Sequence, residues 1–64
     1  MLNLRGKHME LMTIEEVSEV TRVPVPTLRW WRSTNSGGPR SARVGRRVMY
    51  RRADVEAWIE DAFK

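Results

Sequence analysis

The sequence predicts a small, mainly α-helical domain with one β-hairpin. Three observations carry this prediction: a capped amphipathic helix near the start, a second helix after a short Val-Pro turn, and an alternating basic and apolar segment that leads into a last amphipathic helix. The 64 residues suffice for one domain with a small core. Cysteine is absent, so tryptophan, leucine, valine and isoleucine must supply most of the stability.

The first helix is predicted over residues 14–21. Thr13 can act as its N-cap, and Glu16 three residues later completes a capping box. Met12 and Val17 fall at the two positions of a hydrophobic staple. The inward face carries Ile14, Val17, Ser18 and Thr21, and the glutamates 15, 16 and 19 point elsewhere.

The second helix is predicted over residues 25–34. A residue before proline avoids the α region, so Val23 ends the first helix, whereas Pro26 suits the first turn of a new one. Leu28 and Trp31 define the buried face, and the opposite side carries Arg29, Trp30 and Ser33. Two short helices joined by so few residues form a helix-turn-helix.

A hairpin is predicted after the loop "NSGGPRS". A three-residue loop, 45–47, pairs Val44 with Val48 and puts Ala42, Val44, Val48 and Tyr50 on one face. A two-residue loop, 45–46, is locally favourable but pairs Val44 with Arg47. Because the buried face fixes register, we expect the longer loop. Arg46 and Arg47 then lie at the tip, and Arg43 and Arg51 on the outer face.

The third helix is predicted from about Ala53, with Asp54 at its favourable N-terminal end. Its apolar stripe consists of Val55, Trp58, Ile59 and Ala62, and Phe63 at the edge either closes the core or docks a partner. The expected core comprises Ile14, Val17, Leu28, Trp31, Val44, Val48, Tyr50, Val55, Trp58 and Ile59. Residues 1–11 show no clean period, and we expect an N-terminal arm or a short packing segment before a domain of residues 12–64.

Positive charge is concentrated in the middle of the chain. The net charge is +4, but residues 22–52 hold nine arginines and no acidic residue, and all eight acids lie outside that range. A block this pure favours a polyanion partner over a merely solvated face, because like charges repel one another unless a polyanion relieves them.

Several function classes are disfavoured. No apolar run approaches the ~20 residues of a membrane span, and no secretory signal is evident, so we expect a cytoplasmic protein. His8, the single histidine, has no Cys or second His with which to bind a metal. We expect no enzyme activity, no cofactor, no metal and no small-molecule ligand.

The segments "TIEEVSEVTRVPVPTLRWWRS" and "ARVGRRVMYRRADVEAWI" resemble the excisionase-type small winged-helix family of phages and mobile elements, within the MerR-like superfamily. The resemblance covers roughly residues 12–60 and implies a winged helix-turn-helix fold. Two positions depart from the family pattern: Arg22 stands where Gly is usual, and Pro24 where a capping Ser is usual. We therefore expect a positive φ at Arg22 and an uncapped second helix.

The resemblance implies that the second helix reads the major groove and that the hairpin is a wing on DNA. The expected helix contacts are Thr27, Arg29, Trp30, Arg32 and Ser33. The expected wing contacts are Arg43, Arg46, Arg47 and Arg51. Further phosphate contacts are expected from Arg22 and Arg40. Trp30 has three interpretations: it flanks the core, it packs on DNA, or it contacts a protein.

The implied function is that of a recombination directionality factor, or excisionase, which binds repeated attachment-site DNA cooperatively, bends it and directs a phage integrase towards excision. The implied partners are double-stranded DNA, the integrase and neighbouring copies of the protein. A small transcriptional regulator of the same fold is the main alternative. A protein-contact adaptor and an RNA-binding protein remain open on the sequence alone.

Overall fold

Three helices and a three-stranded antiparallel sheet form the part of the chain that the structure, a computed structural model, describes: residues 10–64. The elements are β1 (Leu11–Thr13), α1 (Ile14–Thr21), α2 (Val25–Thr34), β2 (Ser41–Val44), β3 (Arg47–Arg51) and α3 (Arg52–Ala62). The helix bounds predicted for α1 and α2 are confirmed, and α3 begins one residue before the predicted start. Residues 1–9 of the predicted N-terminal arm lie outside the described residues. Leu11, the last residue of that arm, begins strand β1, which the sequence pattern did not predict.

The first helix begins with the predicted capping box. The Glu16 carboxylate accepts from the Thr13 backbone N–H at 2.8 Å, and the Thr13 hydroxyl accepts from the Glu16 N–H at 3.2 Å. Met12 and Val17 are both buried, as the staple requires. Thr13 is also the last residue of β1, so the cap joins the sheet directly to α1.

Side-chain hydrogen bonds fix the turn between α1 and α2. The Ser18 hydroxyl donates to the Val23 carbonyl at 2.7 Å. The Thr21 hydroxyl donates to the Val17 carbonyl at 2.8 Å and accepts from the Val23 N–H at 3.2 Å. Arg22 ends α1 in the left-handed conformation, φ 66°, as predicted, and its N–H bonds the Ser18 carbonyl.

The second helix begins without a side-chain cap, also as predicted. Pro24 occupies the N-cap position, where its carbonyl accepts from the backbone N–H groups of Thr27 and Leu28 at 3.0 and 3.1 Å. Pro26 lies in the first turn, where its missing N–H leaves no bond unmade.

Strand β3 is the central strand of the sheet and pairs with β1 on one side and with β2 on the other. Tyr50 at its centre pairs with Met12 on one side and with Ser41 on the other. The Arg52 N–H continues this pairing to the Glu10 carbonyl at 2.9 Å. The short β1 therefore anchors the start of α1 beside the hairpin.

The hairpin has the two-residue loop Gly45-Arg46, so the predicted three-residue loop is wrong. Val44 pairs with Arg47 and Arg43 with Val48. Gly45 has a φ of 64°, which suits the first position of a tight hairpin turn. The local turn preference determined the register here.

This register places Val44 and Ala42 on the face opposite Val48 and Tyr50. Val44 is 49% exposed, so its assignment to the core is wrong. Arg43 shares the inner face with Val48, so the prediction that it lies on the outer face is also wrong. Within residues 10–64, Ala42 and Val44 are both exposed, so the burial that was expected to fix the longer loop is missing.

Five elements each supply one fully buried hydrophobic residue to the core. These residues are Met12, Val17, Leu28, Tyr50 and Val55. Ile14, Val23, Trp31, Val48 and Ile59 pack against them and are partly buried.

Two tryptophans extend the core. Trp58 is half-buried, and its ring lies 5.9 Å from that of Trp31 at an interplanar angle of 56°. The loop before β2 closes on Trp31 at Gly38, where φ is 81° and an added Cβ would lie 2.7 Å from the indole. Phe63 is 84% exposed and does not close the core.

Replacing Arg22 with Gly should raise the free energy of unfolding by about 0.5–1 kcal/mol. A left-handed backbone costs a non-glycine residue roughly 1–2 kcal/mol, and the added freedom of glycine in the unfolded chain offsets part of that gain. The control is Arg22→Ala, which removes the guanidinium but keeps the strained backbone. Urea denaturation of both variants measures the effect, and an equal response of the two would contradict it.

Stability should fall as the pH rises above about 10, the usual pKa of tyrosine, because of Tyr50. Burial raises the pKa of the Tyr50 phenol, and the positive charge of Arg32 lowers it by a smaller amount. With a higher pKa in the folded state, the unfolded chain loses its proton first, so alkali favours unfolding. The contribution of Tyr50 to stability is fully present below the pKa that tyrosine has in the unfolded chain. It is lost as the pH rises through the higher pKa of Tyr50 in the folded protein.

The Tyr50→Phe variant should lack this alkaline loss of stability. Denaturant titrations at neutral and alkaline pH compare the two proteins. Tyr50 is the only tyrosine in the chain, so the difference reports on this side chain. Parallel decline of both proteins above pH ~10 would exclude Tyr50 as the cause.

Candidate nucleic-acid interface

The outer face of α2 and the beginning of β3 line one groove with a volume of about 710 Å³. We call it the α2–wing groove, the wing being residues 41–51. Helix α2 contributes Pro26, Arg29, Trp30, Arg32 and Ser33. The wing contributes Arg47 and Val48, and the start of α1 contributes Thr13, Ile14 and Glu15. The predicted helix and the predicted wing therefore open towards the same space.

The packing of α2 determines which of its side chains reach the groove. Leu28 is buried and Trp31 packs on the core, which directs Arg29, Trp30 and Ser33 outward. Trp30 is 62% exposed, so the interpretation that it flanks the core is not supported. A large apolar ring left in water beside arginines is typical of a contact surface.

A second hollow extends the basic surface past the end of α2. It has a volume of about 560 Å³ and lies between α2, the loop and β2. Arg40 and Arg43 line it, and Arg32 and Ser33 line both this hollow and the α2–wing groove. Four predicted contacts thus line one depression: Arg32, Ser33, Arg40 and Arg43.

Other predicted contacts lie outside the α2–wing groove. Thr27 is half-buried in the first turn of α2 and does not line it. Arg46 is exposed in the hairpin turn. Arg22 lies beside Ser18, Glu19 and Pro24 at the turn between the first two helices.

Most arginines of residues 10–64 form no ion pair within that range. Arg51 pairs with Asp54 at 2.9 Å, and Arg52 pairs with Glu10 at 3.3 Å and Glu56 at 3.6 Å. Within residues 10–64, no ion pair is formed by Arg22, Arg29, Arg32, Arg40, Arg43, Arg46 or Arg47. These seven guanidinium groups are free to meet an external anion.

Arg51 differs from the other predicted wing contacts. Its guanidinium is held by Asp54, and it does not line the α2–wing groove, whereas Arg47 on the same face of β3 does. An arginine that already has a carboxylate partner contributes less to a polyanion contact.

Three groove residues belong to neither the predicted contacts nor the predicted core: Thr13, Glu15 and Pro26. Thr13 and Pro26 served only as helix-start signals, and Glu15 was assigned to solvent with the other glutamates of α1. The sequence contains no signal for Glu15, because its position depends on the pairing of β1 with β3, and β1 is only three residues long.

The described residues offer no metal site. No group of three or more His, Asp or Glu side chains in residues 10–64 is arranged to hold an ion. None of the helices in that range has the length and apolar character needed to cross a bilayer.

Helix, turn, helix, wing and closing helix define a winged helix-turn-helix domain, and the basic groove lies between its second helix and its wing. Residues 11–62 match a family model described as "Helix-turn-helix domain". The chain therefore belongs to this helix-turn-helix family, which is a DNA-binding family. Searches of curated proteins and of solved structures gave no match.

Proposed function

We propose that this protein binds a specific sequence of double-stranded DNA with α2 in the major groove and the wing on the adjacent backbone. The observation that carries the proposal is the α2–wing groove, which Arg29, Trp30 and Arg47 line together. Neither Arg29 nor Arg47 forms an ion pair within residues 10–64. A duplex that fills this space meets both elements at once.

Helix α2 has dimensions that suit the major groove. An α-helix with its side chains is about 10–12 Å across, and the major groove is about 12 Å wide. The 10 residues of α2 extend roughly 15 Å along it. Arg29 and Arg32 are the side chains on it that can form paired hydrogen bonds with guanine. Trp30 offers a flat apolar surface to a thymine methyl group or to a sugar.

The wing and the loop supply phosphate contacts. Arg46 and Arg47 at the hairpin end carry charge without sequence preference, because every duplex presents phosphates. Arg40 and Arg43 extend this surface on one side of α2, and Arg22 extends it at the turn. Arg51 contributes little, since Asp54 neutralises it.

We further propose that the protein acts as an excisionase at repeated attachment sites. The resemblance of residues 12–60 to the excisionase-type family supports this role. The size of the domain fits it as well, because a single wing and a ten-residue helix form a small interface that adjacent copies can reinforce. The proposed partners are the phage integrase and neighbouring copies on bent DNA.

Alanine variants of the helix and the wing should weaken DNA binding in different ways. Arg29→Ala should relax the preference for one base pair at a cost of about 1–3 kcal/mol, because the variant cannot form paired hydrogen bonds with a base. Arg46→Ala with Arg47→Ala should weaken binding to all duplexes alike, and the salt slope should decrease by ~1 for each phosphate that the protein no longer neutralises.

Titration of a selected duplex and a randomised duplex across several salt concentrations separates the two behaviours. Arg51→Ala is the matched control, since it removes an arginine of the same hairpin that is already paired. A uniform loss of affinity for the Arg29 variant would contradict the role of α2 as the reading helix.

The excisionase role is tested by an integrase-mediated excision assay on attachment-site DNA, with and without the protein. We expect excision to require the protein and occupancy of repeated sites to be cooperative. Excision that proceeds without it, together with altered transcription from a tightly bound operator, would favour the regulator instead. An isolated site bound as tightly as a repeated array would contradict cooperative binding.

A further inference from the structure

The α2–wing groove contains a carboxylate among its arginines. Of the described residues that line it, Arg29, Arg32 and Arg47 are basic, and Glu15 is the acidic one. A negative charge at this place lowers the affinity of the groove for any polyanion. In α1 itself this charge is favourable, because Glu15 lies in the first turn of the helix.

Glu15 has no partner among residues 10–64. Its neighbour Glu16 accepts a hydrogen bond from the Thr13 N–H as part of the capping box. The Glu15 carboxylate makes no side-chain hydrogen bond and no ion pair within the described range, although three arginines share its groove. As far as residues 10–64 are concerned, this carboxylate is therefore available to a bound ligand.

The backbone holds Glu15 in a defined position. It is the second residue of α1, and the capping box fixes the first turn of that helix. Thr13 pairs with Met49 of the central strand, so the start of α1 is fastened to the sheet beside the wing. A side chain on such a rigid support can discriminate between ligands that differ by a single group.

Base edges and phosphates interact differently with a carboxylate. Cytosine presents its N4 amino group in the major groove, and a carboxylate accepts a hydrogen bond from it. A phosphate, or a base edge that carries only acceptors, repels the same carboxylate. A group of this kind weakens binding to wrong sequences more than to the right one.

We propose that Glu15 is a specificity-determining residue that accepts a hydrogen bond from a base amino group, cytosine N4, in the major groove of the cognate site. Where the base edge in front of it carries only acceptors, it meets no donor and opposes the negatively charged duplex. This inference rests on the proposed binding of double-stranded DNA and assigns a role in it to α1.

The test compares Glu15→Gln with Glu19→Gln. Both changes remove one negative charge from α1, but Glu19 lies beside Arg22 and Pro24 at the turn rather than in the α2–wing groove. Each protein is titrated against a duplex that the wild type selects from a randomised library and against a randomised duplex of equal length. Circular dichroism establishes that each variant is folded.

We expect Glu15→Gln to bind the randomised duplex about 3- to 10-fold more tightly, because a nearby like charge is removed. Its affinity for the selected duplex should stay the same or fall, so the ratio between the two affinities decreases. Glu19→Gln should change both affinities by one small common factor. Glu15→Asp, which keeps the charge but shortens its reach, should still bind randomised DNA weakly while losing the preference at one base pair.

An unchanged affinity ratio in Glu15→Gln, matching that of Glu19→Gln, would overturn the role of Glu15 and leave the proposed function intact. Retention of the full base preference by both Glu15 variants would overturn it too. If the wild type selects no sequence from the library, the proposed sequence-specific binding fails first, and the role of Glu15 fails with it.

Discussion

Tyr50 connects the layers of this small domain, because it shares one core with a buried residue from β1 and from each of the three helices. It lies at the centre of the central strand, pairs with Met12 and Ser41 on its two sides, and is buried with Val17, Leu28 and Val55. Each of five elements contributes a single fully buried residue, so no element has a second deep anchor. The angle between α2 and the wing therefore depends on how closely these few side chains pack.

This dependence explains how a domain of so few residues can present a rigid interface. Leu28 anchors α2 and thereby directs Arg29 and Trp30 outward. Val48 and Tyr50 anchor β3, the strand whose first residue, Arg47, lines the same groove. Truncation of a buried leucine typically costs about 2–5 kcal/mol, a large part of the stability of a small domain. The packing that stabilises the fold also fixes the separation of the helix and the wing.

Ion pairing divides the arginines of the central block into two groups. Acidic partners neutralise Arg51 and Arg52 at the start of α3, where the chain must fold back against β1. The other seven arginines of the central block make no ion pair within residues 10–64. Their mutual repulsion opposes the compact state, and binding of a polyanion relieves it. Such a surface gains stability when it binds DNA.

Local signals explain which parts of the fold were predictable. Thr13, Glu16 and Pro26 mark helix starts through interactions within one turn, and α1 and α2 begin where these residues indicate. The left-handed Arg22 was expected from the family resemblance, since Gly is usual at this position in that family. The hydrogen bonds of Ser18 and Thr21 hold that turn without glycine.

Non-local packing explains why the hairpin register was predicted wrongly and why Glu15 was not predicted as part of the site. The longer hairpin loop was chosen on the assumption that Ala42 and Val44 are buried, but both residues are exposed. The two-residue turn at Gly45 therefore prevails, and Arg43 moves to the inner face, next to the hollow that Arg32 and Arg40 also line. The same pairing of short strands brings Glu15 beside the arginines of α2 and the wing. The helical positions of the site thus follow from periodicity, whereas the wing positions and the acidic residue follow from a sheet register that only the assembled core determines.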